Sequence, residues 1–160
     1  MYNTSKVVFS PRVRKSPYFN STIKYGATAF SVYNHMYMPV TYDGTIEDYK
    51  KLLDGVQLWD VGVERQVQIK GPDAESLAQF LTPRNIKKCS IGQAMYTPLT
   101  DFKGNLINDP VMLKIDDDCY WFSVSDGDLL LWAQGIAAGY KFEVDVDEPD
   151  VSPLQVQGPN

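Results

Sequence analysis

At 160 residues and 18.1 kDa the chain is long enough to bury the core of one ordinary domain. A net charge of -5 and a pI near 4.8 argue against a surface built for phosphate backbones, although the first 24 residues carry Lys6, Arg12, Arg14, Lys15 and Lys24 and no acid; nucleic acid is not an expected partner. No window reaches the roughly eighteen apolar residues that span a bilayer and no signal-peptide core is present, so a soluble, cytoplasmic protein without a membrane partner is expected.

In chain order, residues 1–25 are polar, with Ser-Pro at 10–11 and 16–17, and predict an extended arm. Residues 26–160 follow as one compact unit, with no repeat, linker or low-complexity tract. Gly26 to Tyr42 is dense in aromatics, among them Phe30, Tyr33 and Tyr37. Such a run is either core or the wall of a pocket, where ring faces suit a cation. Thr45 and Asp48 have capping-box spacing, and Ile46, Tyr49, Leu52 and Leu53 give the apolar stripe of a short helix ending near Gly55. From Val61 to Ile69 apolar and polar residues alternate, which predicts one strand with Arg65 on its otherwise apolar face. An arginine there needs an anion, either a structural carboxylate or the carboxylate of a substrate.

Pro72 and Asp73 open a helix through Leu81, with Ala74, Leu77, Phe80 and Leu81 facing inward. Tyr96 to Lys114 then reads as a β-hairpin. Tyr96, Thr97 and Leu99 form one arm, Asp101, Lys103 and Gly104 the turn, and Leu106, Ile107, Val111 and Leu113 the return. Pro110 cannot donate to a ladder, so Asn108 and Asp109 sit where the pairing breaks. Asp109 is there either as a turn former or as a functional acid re-aimed by the break. Asp116 to Asp118 is an acidic turn, and Cys119 to Val124 is a strand. Ser125 or Asp126 caps a helix to about Ala138, with Leu129, Trp132, Ala133 and Ile136 inward. Strands at 141–146 and 154–157 follow. The irregular alternation, without a glycine-rich phosphate loop, predicts an α+β fold of mixed or antiparallel sheets with packed helices. Cys89 and Cys119 read as free core thiols, and His35, the only histidine, lacks partners for a metal site.

The spacing from Tyr96 through Gly104 to Asp109 resembles the folate-binding hairpin of the aminomethyltransferase family, the T-proteins of glycine cleavage and their relatives. With LWDVGVERQVQIKGPDA, LTPRNIKKCSIGQ, LLLWAQG and EPDVSPLQVQGP, the chain is similar to the dimethylsulfoniopropionate (DMSP) demethylase branch of that family from about Val8 to Asn160. The resemblance implies the N-terminal portion of the aminomethyltransferase folate-binding fold, incomplete and inactive by itself. It also implies tetrahydrofolate as methyl acceptor and DMSP as methyl donor, with homodimerisation left open. Asp109 is implied as the catalytic carboxylate facing the folate nitrogens, and Tyr96, Asn108 and Asp109 as folate-binding residues; Trp121 is a further aromatic candidate for the folate. T-proteins usually carry Asp-Asp where this chain has Asn108-Asp109. Tyr33, Trp59 and Arg65 are the candidates for holding the substrate. Two alternatives stay open: an aminomethyltransferase or other N-methyl folate enzyme, and a folate-binding protein of iron-sulfur assembly without catalysis.

Overall fold

The computed structural model describes residues 9–160. The elements begin with α1 (Phe19–Lys24), β1 (Ala29–Tyr33), β2 (Met36–Thr41), α2 (Thr45–Asp54) and β3 (Gln57–Asp60). Next come β4 (Gln66–Lys70), α3 (Ala74–Phe80), β5 (Ala94–Tyr96), β6 (Leu99–Thr100), β7 (Leu106–Asn108) and β8 (Val111–Asp116). The chain finishes with β9 (Cys119–Ser123), α4 (Leu129–Tyr140), β10 (Asp145–Asp147) and β11 (Leu154–Gln157). All strand ladders among the described residues are antiparallel, consistent with the α+β expectation. None of the described helices is long and apolar enough to cross a membrane.

Where one compact unit is expected, the chain divides into two, the first running to Val63 and taking in Pro153–Asn160, the second spanning Glu64–Ser152. In the first unit β1 and β2 form a hairpin that turns at Asn34 and His35, both at positive φ (47° and 58°) as a two-residue turn requires. Asn34 is buried, and its Nδ2 donates to Val63 O at 2.9 Å. Phe30 and Tyr37 pack with Phe9 and Phe19 at ring-centroid distances of 5.0 to 5.8 Å, so this part of the aromatic run is core. Within the expected arm, residues 1–8 lie outside the described chain, and 19–24 are helical rather than extended. Pro17 precedes that helix, Ser16 accepts the Tyr18 and Phe19 amides, and Phe19 and Thr22 are buried.

The capping box takes a different form. Gly44 at φ 118° is the residue before α2, and Thr45 makes no side-chain cap. Asp48 reaches back instead to the connection, accepting from Thr41 Oγ1 at 2.5 Å, Tyr42 N at 2.8 Å and Asp43 N at 3.2 Å. The apolar stripe on α2 is present yet uncovered, with Ile46, Tyr49 and Leu53 all exposed. Of the single strand expected from Val61 to Ile69 only the part from Gln66 is strand, as β4, while β3 ends at Asp60 before it. Asp60 Oδ1 accepts the Gly62 amide at 3.1 Å and bends the chain, and buried Gly62 and Val63 separate β3, paired with β11 in the first unit, from β4 in the second.

The second unit is a five-stranded sheet in the order β10-β4-β9-β8-β5, with α3 and α4 on one face. Alternate residues of three strands, Val67 and Ile69, Met112, and Tyr120 and Phe122, point into a core completed by Leu77, Ala78, Leu129, Ala133 and Ile136. Each such large side chain contributes about 1.5–3 kcal/mol by its burial. Phe80, expected inward, is exposed at the end of α3, where its ring lies tilted against that of Tyr140 at a centroid distance of 4.8 Å. Lys141 at φ 58° closes α4, so the strand expected at 141–146 is delayed to β10.

Candidate functional site

β5 and β8 pair at the edge of the sheet, with Tyr96 opposite Val111, and both arms of the hairpin then break. One break lies at Thr97-Pro98, the other at Asp109-Pro110, and pairing resumes as β6 with β7. Thr97 and Pro110 are fully buried and anchor the break, whereas Asp109 is exposed. The turn is the one expected. Asp101 Oδ1 accepts the amides of Lys103 and Asn105, each at 2.8 Å, and Gly104 takes φ 83°. Hydrogen bonds, first from the Asn105 side chain and then from backbone amides, hold the Asp101 carboxyl below its ordinary range.

At the second break Asp109 Oδ1 accepts from the Ser125 hydroxyl at 2.6 Å, and Oδ2 lies 3.4 Å from the Tyr96 hydroxyl, which donates weakly at that distance. A carboxylate offers about four lone-pair sites, so roughly two remain for a ligand on the open side. Asn108 points the other way and is buried; its Nδ2 donates to Ser125 O at 3.0 Å and its Oδ1 accepts from Ser125 N at 3.2 Å. Ser125 is the site residue that sequence reasoning missed. Its position after a strand and before Asp126 and Gly127 reads as a helix cap, but α4 begins only at Leu129 and Ser125 serves the hairpin instead.

Tyr96 belongs to the sheet face turned away from the helices. There Tyr96, Val111, Ser123 and Gln66 form one cross-strand row, and Ala94, Leu113, Trp121, Gln68 and Asp147 form the next. Trp121 is therefore on the same face as Tyr96, two strands across and one row along, roughly 12 Å away at the backbone by strand geometry. Trp121 is half-buried and its Nε1 donates to Gln68 Oε1 at 2.9 Å. The structure thus brings Tyr96, Asn108 and Asp109 into one cluster around Ser125 and puts Trp121 on the face that this cluster borders.

The remaining candidates are placed separately. Arg65, in the second unit, forms an ion pair with Glu148, both side chains mostly buried (18% and 17% exposed). The structural carboxylate of the sequence reading is therefore present. Tyr33 and Trp59 belong to the first unit. Tyr33 is half-buried at the end of β1, while Trp59 lines an open cavity of about 530 Å³ with Tyr25, Tyr42, Asp48 and Asp60. Burial, aided by the carboxylates of Asp60 and Asp48, raises the Tyr42 phenol above its ordinary pKa and keeps it neutral.

The sequence model of the GCVT N-terminal domain matches residues 18–160, all but the start of the chain. The chain belongs to this family. Among GCVT-domain relatives, it is 45% identical over 150 residues to dimethylsulfoniopropionate demethylase DmdA of Ruegeria pomeroyi, covering 94% of this chain and 41% of that protein. It is 26% identical over 150 residues to the aminomethyltransferase of Moorella thermoacetica, at 92% and 41% coverage. The crystal structure of glycine cleavage system aminomethyltransferase T from Bartonella henselae superposes with a TM-score of 0.81 at 21% identity, over 92% of this chain and 41% of that one, and shows the same α+β fold. The chain spans about two fifths of the length of these GCVT-domain relatives. Tyr96, Asn108, Asp109, Trp121 and Ser125 all lie inside the matched segment.

Proposed function

We propose that the protein is a cytoplasmic, tetrahydrofolate-dependent methyltransferase that demethylates DMSP to 3-methylthiopropanoate with formation of 5-methyltetrahydrofolate. The observation that carries this reading is the Asp109 carboxylate, held by Ser125 at 2.6 Å beside the Tyr96 hydroxyl at the broken hairpin, in a chain 45% identical to a DMSP demethylase. The aminomethyltransferase alternative has weaker support, since those relatives are 26% identical or similar.

A sulfonium methyl is already an activated electrophile. The folate N5 lone pair forms the new N–CH3 bond, the C–S bond breaks, and its electron pair stays on sulfur as the neutral thioether. The proton that N5 must lose is the remaining task, and the Asp109 carboxylate is the group offered for it. Tyr96, half-exposed beside Asp109, provides a ring face for the pterin, and Trp121 provides a second surface on the same sheet face. Trp59 and Tyr33, both in the first unit, are candidates for the sulfonium on ring chemistry alone, since its charge suits a ring face. Arg65 would hold the substrate carboxylate only by sharing its guanidinium with Glu148. Orientation of two bound reactants supplies most of such a rate, about 7–11 kcal/mol in well-aligned cases.

The test is to incubate a protein that carries this chain at the full length of its relatives with tetrahydrofolate and DMSP, and to follow 5-methyltetrahydrofolate and 3-methylthiopropanoate by mass. Equal amounts of both are expected. Formation of neither, under conditions where the Ruegeria pomeroyi enzyme turns over, rejects the reading.

A further inference from the structure

We infer that Asn108 is an internal amide clasp rather than a ligand contact, and that Ser125, pinned by it, is the positioning residue that aims Asp109. The second half of this inference rests on the role proposed for Asp109; the first half does not. Asn108 is buried, and its amide satisfies both main-chain groups of Ser125, donating to the carbonyl at 3.0 Å and accepting from the amide at 3.2 Å. A side chain here performs the exchange that two paired strands otherwise make through their backbones. Gly127 leaves room for it: at φ 151°, a Cβ on that residue would stand 3.2 Å from Asn108 Nδ2. The main chain of Ser125 is thus fixed from one side. Its hydroxyl meets Asp109 Oδ1 at 2.6 Å, the length of a charge-assisted O–H···O bond. One carboxylate oxygen is thereby committed, and the other is turned toward Tyr96 and the open face.

The clasp demands an amide. A carboxylate at position 108 could still accept from Ser125 N but would oppose the Ser125 carbonyl without a proton to share. Position 108 is also where the resemblance departs from the Asp-Asp of T-proteins. Asp109, the next residue, is acidic, and a carboxylate beside it pushes a carboxyl at 108 toward protonation.

Two experiments separate the clasp from the catalytic reading. In Asn108→Asp, only the protonated acid can donate to Ser125 O, so the introduced carboxyl has a folded pKa above its unfolded value. Its stabilising bond is present below the unfolded pKa and lost as pH rises through the folded one. The variant is expected to melt about 4–8 °C below the native protein at pH 7, with the gap closing as the pH is lowered through the carboxyl range. A variant as stable as the native protein at pH 7, or a gap that is the same at every pH, overturns the clasp, and this readout needs no activity. For Ser125, Ser125→Ala is expected to lower kcat about tenfold, with KM for tetrahydrofolate within about twofold, and Ser125→Thr to restore it to within about threefold. In parallel, the Asp109 β-proton couplings by NMR should show one rotamer in the native chain and rotamer averaging in Ser125→Ala. Unchanged kcat in Ser125→Ala, or an Asp109 rotamer that stays fixed without the hydroxyl, overturns the positioning role. Absence of demethylation by the native chain at the full length of its relatives rejects the proposed function instead, and the melting and coupling measurements still decide the inference.

Discussion

The Thr97 amide donates to the Pro110 carbonyl at 2.9 Å, which ties the two breaks of one hairpin together at the same level. A break in one arm alone would leave ladder groups on the other arm without partners, at a cost of about 1–3 kcal/mol for each buried group. Here both arms leave the ladder together, with Pro98 beside Thr97 and Pro110 beside Asp109, and the buried Thr97 hydroxyl donates back to Met95 O at 2.9 Å. The arrangement puts a carboxylate at the surface on a rigid footing rather than on a mobile loop.

That footing makes Asp109→Asn informative. The amide keeps the shape and can still accept from Ser125, but it has lost the basicity needed to take a proton. We expect kcat to fall by about 10²–10⁴ with KM for tetrahydrofolate changed less than about threefold. Steady-state kinetics check this, and a rise in KM with kcat intact would assign Asp109 to binding alone.

Tyr96 should separate into two contributions. Its hydroxyl stands 3.4 Å from Asp109 Oδ2, at the long end of hydrogen bonding, so Tyr96→Phe is expected to lower kcat less than about tenfold. Its ring is half-exposed on the sheet face, so Tyr96→Ala should raise KM for tetrahydrofolate by about tenfold, as the loss of a stacking surface worth about 1.5 kcal/mol implies. Equal effects from the two variants would mean that the hydroxyl carries the function.

Much of this was legible in the chain. The Asp101 turn and the Pro110 break follow from local chemistry, because the bonds that make them lie within a few residues. The core strands at β8 and β9 follow from alternation. The contact that locks Asp109 was not legible, since Ser125 is 16 residues away and a serine after a strand has an equally good local use as a cap. The apolar alternation from Val61 to Ile69 misled because Asp60 folds its side chain onto the Gly62 amide, a turn signal that periodicity does not weigh. Arg65 showed its need for an anion but not which one, because Glu148 is distant in sequence.

The two cysteines offer a direct check on the second unit. Both are buried and free, and burial, with some help from Asp118 and Asp116, raises the Cys119 thiol above its ordinary pKa against the opposing effect of Lys70. The thiolate is the reactive form, so Cys119 should label slowly even at pH 8. Less than about a tenth of its thiol is expected to react with an aromatic disulfide reagent in the native protein over minutes, against complete reaction in denaturant. Fast labelling of native Cys119, assigned by peptide mass, would contradict the packing of β9 against β4.

The last expectation concerns Asp48 and the acid limb of stability. Its carboxyl is held below the ordinary range first by the Thr41 hydroxyl, then by the Tyr42 and Asp43 amides, with Lys51 assisting. A depressed folded pKa means that the carboxylate stabilises the fold above its unfolded pKa, and that this stabilisation disappears as pH falls through the folded pKa. Asp48→Asn keeps one acceptor oxygen but not the charge, so it cannot serve all three donors as strongly. At pH 7 the variant should melt a few degrees lower than the native protein, about 2–4 °C. The difference should vanish once the native carboxyl is itself protonated, below the usual carboxylate range. Thr41→Val, which removes the largest single cause, should reproduce part of the deficit at pH 7 and should add little in the Asp48→Asn background, because the two residues share one bond. Additive losses in the double variant would mean that Thr41 stabilises the β2 to α2 connection by some other contact, and that the hydroxyl is not what holds the Asp48 carboxyl down.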